Sequence, residues 1–259
     1  MHTQNFHTHT WRCTHARGEA IDYARAAKRA GMTVLGMSDH TPLPDGWTQE
    51  IRMKMSELDG YLRAVHQADR DSGIRVIAGM ECDIAPQYSS FYKDELLASG
   101  RCQYLAGAIH YYFHGNEVLY AGSIPSLSHL GSYADTMIQG ITSGIFSFIA
   151  HPDHFAAGWD RWDSHTKTCV SGIMKAAKKA DVPLEINGNG FRKSPVNFGK
   201  GPRPPYPWRP FWEMAAEYEV AVVWNSDAHR PEDVNASLDE CAALAESLGL
   251  KRVPVRLRE

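Results

Sequence analysis

Apolar positions recur along this chain in two alternating rhythms. Runs of four to six aliphatic and β-branched residues predict strands over Gln4–His9, Thr33–Met37, Arg75–Met80, Tyr104–Ile109, Phe146–Ala150, Pro183–Ile186 and Val220–Trp224. Between them the period lengthens to that of a helix. Glu19–Ala30 sets Ile21, Ala24 and Ala27 on one face, and Gly31 follows as its stop. Met55, Leu58, Leu62 and Val65 form the next stripe, ended near Gly73, and further helices are expected around His129–Gly140, Thr168–Ala180, Pro210–Tyr218 and Pro231–Leu248. Strands alternating with helices predict an α/β fold with a parallel sheet, closed as a barrel or open and doubly wound. No repeat, low-complexity linker or composition break divides the chain, so residues 1–259 read as one domain. Gly188–Arg209 stands apart as a long Gly- and Pro-rich loop carrying Arg192, Lys193, Lys200, Arg203 and Arg209 and no acidic residue. Long loops in compact domains are commonly functional.

Composition narrows the class. With 259 residues the chain is long enough for a large core. A formal charge of −3, from 27 Lys plus Arg against 30 Asp plus Glu, argues against a general nucleic-acid binder. No stretch reaches the ~18 apolar residues of a membrane span, and the first residues lack the basic and apolar regions of a signal peptide. Five scattered cysteines without a CxxC pair predict neither a disulfide framework nor a Cys-type zinc site, so a cytoplasmic setting is expected. Histidine is the anomaly: 13 residues, more than the 9 Phe or 7 Trp.

Six of these histidines fall at strand ends. His7 and His9 close the first strand, where side chains two apart share a face. His15 follows in the next loop; Asp39 and His40 end the second strand, Glu81 the third, His110 the fourth and His151 the fifth. Glu185 and Asn187 end the sixth, and Asp227 and His229 the seventh. A lone histidine at a strand end is ordinarily a hydrogen-bonded loop residue. In a parallel barrel, however, every carboxyl end opens on one face, so these residues converge. Imidazole nitrogens and carboxylate oxygens together suit Zn, Mn or Fe ions, and so many donors indicate two or three. His2, His66, His114, His129 and His165 read as surface or helix residues, and His154 as undecided.

At these residues the sequence resembles the PHP (polymerase and histidinol phosphatase) superfamily, and its histidinol-phosphatase branch in particular. The resemblance rests on HxHTxxCxH from His7 to His15, Ser38-Asp39-His40-Thr41-Pro42, the GxE ending in Glu81, and His151-Pro152-Asp153. It continues through Glu185-Ile186-Asn187, Gly190, Arg192-Lys193, Tyr206-Pro207 and Ser226-Asp227-Ala228-His229, spanning about residues 5 to 235. It implies a distorted seven-stranded (β/α)7 barrel, TIM-barrel-like, and three divalent metal ions. The first would be held by His7, His9, Glu81 and Asp227; the second by Glu81, His110 and His151; the third by His15, His40 and His229.

Three divalent ions against the carboxylates Glu81 and Asp227 make a cationic face suited to a phosphate ester. Coordination lowers the pKa of water from 15.7 to about 7, so the expected nucleophile is a hydroxide bridging the first two ions. Glu81, Asp227, Asp153 and Arg192 are the expected catalytic residues. Arg192, Arg230, Asn187, Tyr206 and Trp11 are the expected substrate contacts, with arginine matching phosphate geometry. The acid that protonates the leaving group stays open among Asp153, Asp39 and His154, and Asp39 and Asp83 equally suit orienting a ligand histidine. The leading expectation is hydrolysis of a small phosphomonoester, L-histidinol phosphate in histidine biosynthesis. A phosphodiesterase or cyclic-phosphate hydrolase comes second. A polymerase-associated proofreading or accessory module and a non-catalytic metal-binding protein are expected less.

Overall fold

The computed structural model describes residues 2–258. In chain order the strands are β1 (Gln4–Asn5), β2 (Val34–Met37), β3 (Arg75–Asp83), β4 (Tyr104–Ala108), β5 (Tyr111–His114), β6 (Glu117–Tyr120), β7 (Phe148–Ile149), β8 (Leu184–Asn187), β9 (Val196–Asn197), β10 (Pro202–Arg203) and β11 (Val222–Asn225). Seven of them, at the seven expected positions, form a parallel sheet in the order β1-β2-β3-β4-β7-β8-β11. Past the ends of β1 and β11 the sheet curls onto itself. Thr8 bridges Ala228 in parallel, His9 N–H donates to Ala228 O at 2.9 Å and Ala228 N–H to His7 O at 3.2 Å. Of the two architectures left open by the sequence, the nearly closed barrel is the one formed. Its distortion lies at this seam and at β7, where regular strand is only two residues long.

The helices are α1 (Ala20–Arg29), α2 (Leu58–Ser72), α3 (Leu127–Thr142), α4 (Ser164–Ala180), α5 (Gly188–Arg192), α6 (Arg209–Glu217) and α7 (Leu238–Ser247). Glu19 caps α1 in a reciprocal box with Asp22, and Gly73 ends α2 in the left-handed conformation. The helix expected over Pro231–Leu248 divides into a 3₁₀ turn (Pro231–Asp233) and α7, because Ser237 takes a left-handed φ of 58° between them. The expected loop Gly188–Arg209 is partly ordered as α5 and the β9–β10 hairpin.

Inside the barrel an aromatic floor lies beneath the strand ends. Tyr104 is fully buried, edge-on to Phe6 at 5.4 Å and stacked on Phe148 at 6.3 Å, and its hydroxyl donates to Phe6 O at 3.0 Å. Gly36 and Gly79 on β2 and β3 make room for this ring, since a Cβ at either would fall within 2.4 Å of it. The C-terminal segment crosses the outer side of the floor. Val253 N–H donates to Val222 O, Arg258 N–H to Gln103 O, and Val255 is buried with Phe6, Tyr104 and Phe148. A larger apolar layer fills the space between barrel and helices.

Candidate metal centre

Glu81 stands at the middle of the barrel mouth. β3 runs on to Asp83, past the expected end at Met80, because Glu81, Cys82 and Asp83 stay in register with Ala106, Gly107 and Ala108 of β4. The Glu81 carboxylate is 1% exposed and ringed by imidazoles. Its Oε1 lies 2.8 Å from His151 Nε2, 3.3 Å from His7 Nε2 and 3.6 Å from His110 Nε2. Its Oε2 lies 3.0 Å from His40 Nδ1 and 3.6 Å from His9 Nε2. Asp227 Oδ1 approaches His9 Nε2 at 3.1 Å, His229 Nδ1 at 3.4 Å and His7 Nε2 at 3.6 Å. His229 Nε2 in turn faces His15 Nε2 at 3.1 Å. All nine residues expected as ligands therefore meet in one cluster. Cys13, which the sequence reading did not single out, joins it beside His15 and His229.

A second layer fixes these rings. Glu185 accepts from His7 Nδ1 at 2.9 Å, from His151 N–H, and from Asn187 and Asn225 Nδ2. Asp83 Oδ1 lies 3.1 Å from His110 Nδ1, and Arg52, 1% exposed, donates to Asp83 Oδ2 and to Thr41 O. Each arrangement leaves Nε2 of its histidine directed at Glu81 and fixes the ring, as outer carboxylates do for metal-ligating histidines. Asp39 Oδ1 lies 3.7 Å from His9 Nδ1, while its Oδ2 holds Thr10 N–H at 3.0 Å. Two residues of the cluster carry backbone strain: His151 has φ of 32° and Asp227 of 50°. Strained residues concentrate at functional sites.

The electrostatics fit bound cations. Burial pushes the Glu81 and Asp227 carboxyls up, but the surrounding imidazoles outweigh it and hold both well below the usual carboxylate range. Burial likewise pushes His7 and His9 down, yet Glu185, Asp227, Glu81 and Asp39 hold both imidazoles well above their ordinary value. The buried carboxylates thus draw positive charge to His7 and His9, while burial and His9 hold His15, His40 and His229 below their ordinary value. His7 Nε2, His9 Nδ1 and Nε2, His40 Nδ1 and Asp227 Oδ1 are buried without a hydrogen-bond partner. Unpaired polar atoms cost about 1–3 kcal/mol each, so five together mark a site built for something else. Ligands 2.0–2.1 Å from one ion stand roughly 3.0–3.4 Å from each other, and these donors stand 2.8–3.6 Å apart. The residues fit divalent ions.

The cluster opens into a cavity of about 360 Å³ lined by His15, His40, Ile51, Glu81, His110, Tyr120, His151, His154, Asn189, Lys193, Tyr206, Asp227 and His229. Of the expected substrate contacts only Tyr206 lines it. Asn187 stands behind the cluster, its Nδ2 donating to Glu185 and to Asp227 Oδ2 at 3.2 Å. The Arg192 guanidinium donates to the carbonyls of Ser226, Asp227 and Ala236, clamping the loop that carries Asp227. Asp153 Oδ2 accepts from Trp208 N–H and Trp212 Nε1, burial pushes its carboxyl up to about 6, and it does not line the cavity. Arg230 is exposed, and Trp11 lies outside with its indole N–H on Glu19. Two of the loop's basic residues are paired by a residue distant in sequence, since Asp160 takes both Lys200 and Arg203. Lys193 is left at the rim. The sequence reading gave Lys193, Asn189 and Tyr120 no role in the site; the Gly115-Asn116 turn between Tyr111–His114 and Glu117–Tyr120 is a hairpin signal that would have placed Tyr120.

The model of the PHP domain family matches residues 5–189. The chain belongs to the PHP domain family. A Deinococcus radiodurans protein named "Probable histidinol-phosphatase" is 28% identical over 98% of this chain and 96% of its own length. A Proteus mirabilis protein named "Probable phosphatase PMI1003" is 26% identical over 77% of this chain and 70% of its own. Among solved structures, the histidinol phosphate phosphatase of Lactococcus lactis subsp. lactis, complexed with Zn, L-histidinol and phosphate, superposes with a TM-score of 0.71. It covers 99% of both chains at 12% identity and so speaks to the fold. Among the described residues no helix is long and apolar enough to cross a membrane.

Proposed function

We propose that this chain hydrolyses a small phosphomonoester with two or three bound divalent ions, and that L-histidinol phosphate is its substrate. The observation that carries this reading is the ring of imidazoles around buried Glu81 and Asp227, open to a cavity with a lysine at its rim. The named relatives and the ligands of the Lactococcus lactis enzyme support the same reading. His7, His9, Glu81 and Asp227 would hold one ion, Glu81, His110 and His151 a second, and His15, His40 and His229 a third. Ions so held supply charge to bind phosphoryl oxygens and lower the pKa of water to about 7.

The chain's own residues divide the remaining work. Glu81 presents both oxygens to opposite sides of the cluster and would be shared between ions. Glu185 and Asp83 keep His7 and His110 in one ring orientation. Lys193, an exposed flexible ammonium at the rim, takes over the phosphate-facing role expected of Arg192. The test is phosphate release by protein reconstituted with Zn, Mn or Fe. Histidinol phosphate should exceed a nucleoside monophosphate and a cyclic nucleotide in kcat/KM. Preference for the cyclic nucleotide would replace the substrate, and no release with any metal would overturn the reading.

A further inference from the structure

One wall of the cavity has no part in the cluster just described. His154 follows His151 on the 3₁₀ turn His154–Ala157 and is 5% exposed. Its Nε2 lies 2.9 Å from the Tyr120 hydroxyl, while its Nδ1 is buried without a partner. Tyr120 stands edge-on to it at 5.2 Å, and the Tyr206 ring lies at 5.0 Å on a tilted plane. The three rings come from separate elements. Tyr120 ends β6, paired with Tyr111, the residue directly after His110. Tyr206 is held where Gly190 of α5 lets the backbones meet, since a Cβ there would fall 2.1 Å from Tyr206 O. His15, His40 and His229 of the cluster line the same cavity.

We propose that Tyr120, His154 and Tyr206 form the subsite for the organic part of the phosphoester, and that it selects a flat ring with a hydrogen-bonding edge, such as an azole. This rests on the phosphomonoesterase reading. Ring faces with centroids about 5 Å apart offer edge-to-face packing to a further ring. The His154–Tyr120 pair adds a polar edge in an otherwise aromatic wall, the usual composition of a small-molecule pocket. A site that pairs a substrate's polar edge rejects an analogue lacking it far more strongly than an apolar wall does. The wall adjoins the cluster at His151, 5.3 Å from His154 between ring centres, which puts these rings within reach of the ester group of a phosphate on the cluster.

The experiment compares wild type, Tyr120→Phe and His154→Leu, each with metal content measured. Readouts are kcat/KM for histidinol phosphate and for glycerol 1-phosphate, and calorimetric binding of L-histidinol alone. In both variants the ratio of the two kcat/KM values falls about ten- to a hundredfold and L-histidinol binding weakens in step, with metal content retained. Tyr120 is half exposed, so its substitution remains informative if His154→Leu fails to fold. An equal loss on both substrates would make the pair a brace for the β5–β6 hairpin and overturn the proposal, as would an unchanged ratio. If the wild type releases phosphate from neither ester yet binds L-histidinol, and the variants do not, the subsite stands and the phosphatase reading falls. Failure of all three proteins to bind L-histidinol overturns the subsite.

Discussion

The two ends of this barrel are built from the same strands and obey opposite rules. At the floor, Phe6, Tyr104 and Phe148 pack ring against ring, and the Tyr104 hydroxyl finds a carbonyl. At the mouth, equally buried positions hold imidazoles and carboxylates, and five of their polar atoms, on His7, His9, His40 and Asp227, lack hydrogen-bond partners. His7 sits on the boundary, its ring 6.5 Å from Phe148 below and 5.1 Å from His9 above. Burial alone therefore says nothing of purpose in this molecule. Satisfaction of the buried polar atoms does: the floor is complete as it stands, and the mouth is completed from outside.

Substitutions at the two ends should separate these roles. His9→Ala should lower phosphatase activity a thousandfold or more, about 4 kcal/mol in transition-state terms, with loss of bound metal. Chelator should lower the melting temperature of the wild type by more than that of His9→Ala, which lacks a ligand of the first ion; equal shifts would break the contrast. At the floor, Tyr104→Ala should cost about 3–4 kcal/mol of stability, read by denaturant titration, while the folded fraction keeps its full metal content. Metal loss there would mean that floor and mouth are coupled.

Arg52→Met tests the layer between them. It leaves Asp83 buried without its cation, a loss of about 3 kcal/mol, and frees His110, so metal affinity should fall roughly ten- to a hundredfold. The smallest effect is expected at the outer rim. Burial pushes the Glu19 carboxyl up, but Arg12 and the Ala20 N–H outweigh it and hold it below its ordinary 4.5. Its contribution is present above that value and is lost as the pH falls through the lowered one. Glu19→Gln should cost about 1 kcal/mol at pH 7 and nothing near pH 2, as paired thermal melts would show.

The strand plan was legible because each short apolar run ends in a residue that could not sit in an apolar core. His40, Glu81, His110, His151 and Asp227 mark the mouth for that reason, and the parallel topology gathers them. What stayed hidden depends on partners distant in sequence. Arg192 and Lys193 are neighbours, and no local pattern says which one finds the carbonyls of Ser226 and Ala236. The loop after Gly188 reads as free positive charge because Asp160 lies some forty residues away. Asp153 looks like an acid of the site until α6 places the Trp212 indole against it. Tyr120 was recoverable from its turn, but its contact with His154 needs the hairpin folded over the mouth.

The seam between Thr8 and Ala228 also governs when this protein can come into being on the ribosome. His7 and His9 precede Asp227 and His229 by 220 residues of chain. The bridge joining them spans more sequence than any other pairing of the sheet. Synthesis runs at about 5–20 residues per second, so early histidines spend more than ten seconds without the carboxylate that completes their surroundings. Val253 and Val255 then seal the underside later still. Assembly of the centre waits on Asp227 and His229, and a chain stalled before residue 227 carries most of the donors and no finished site.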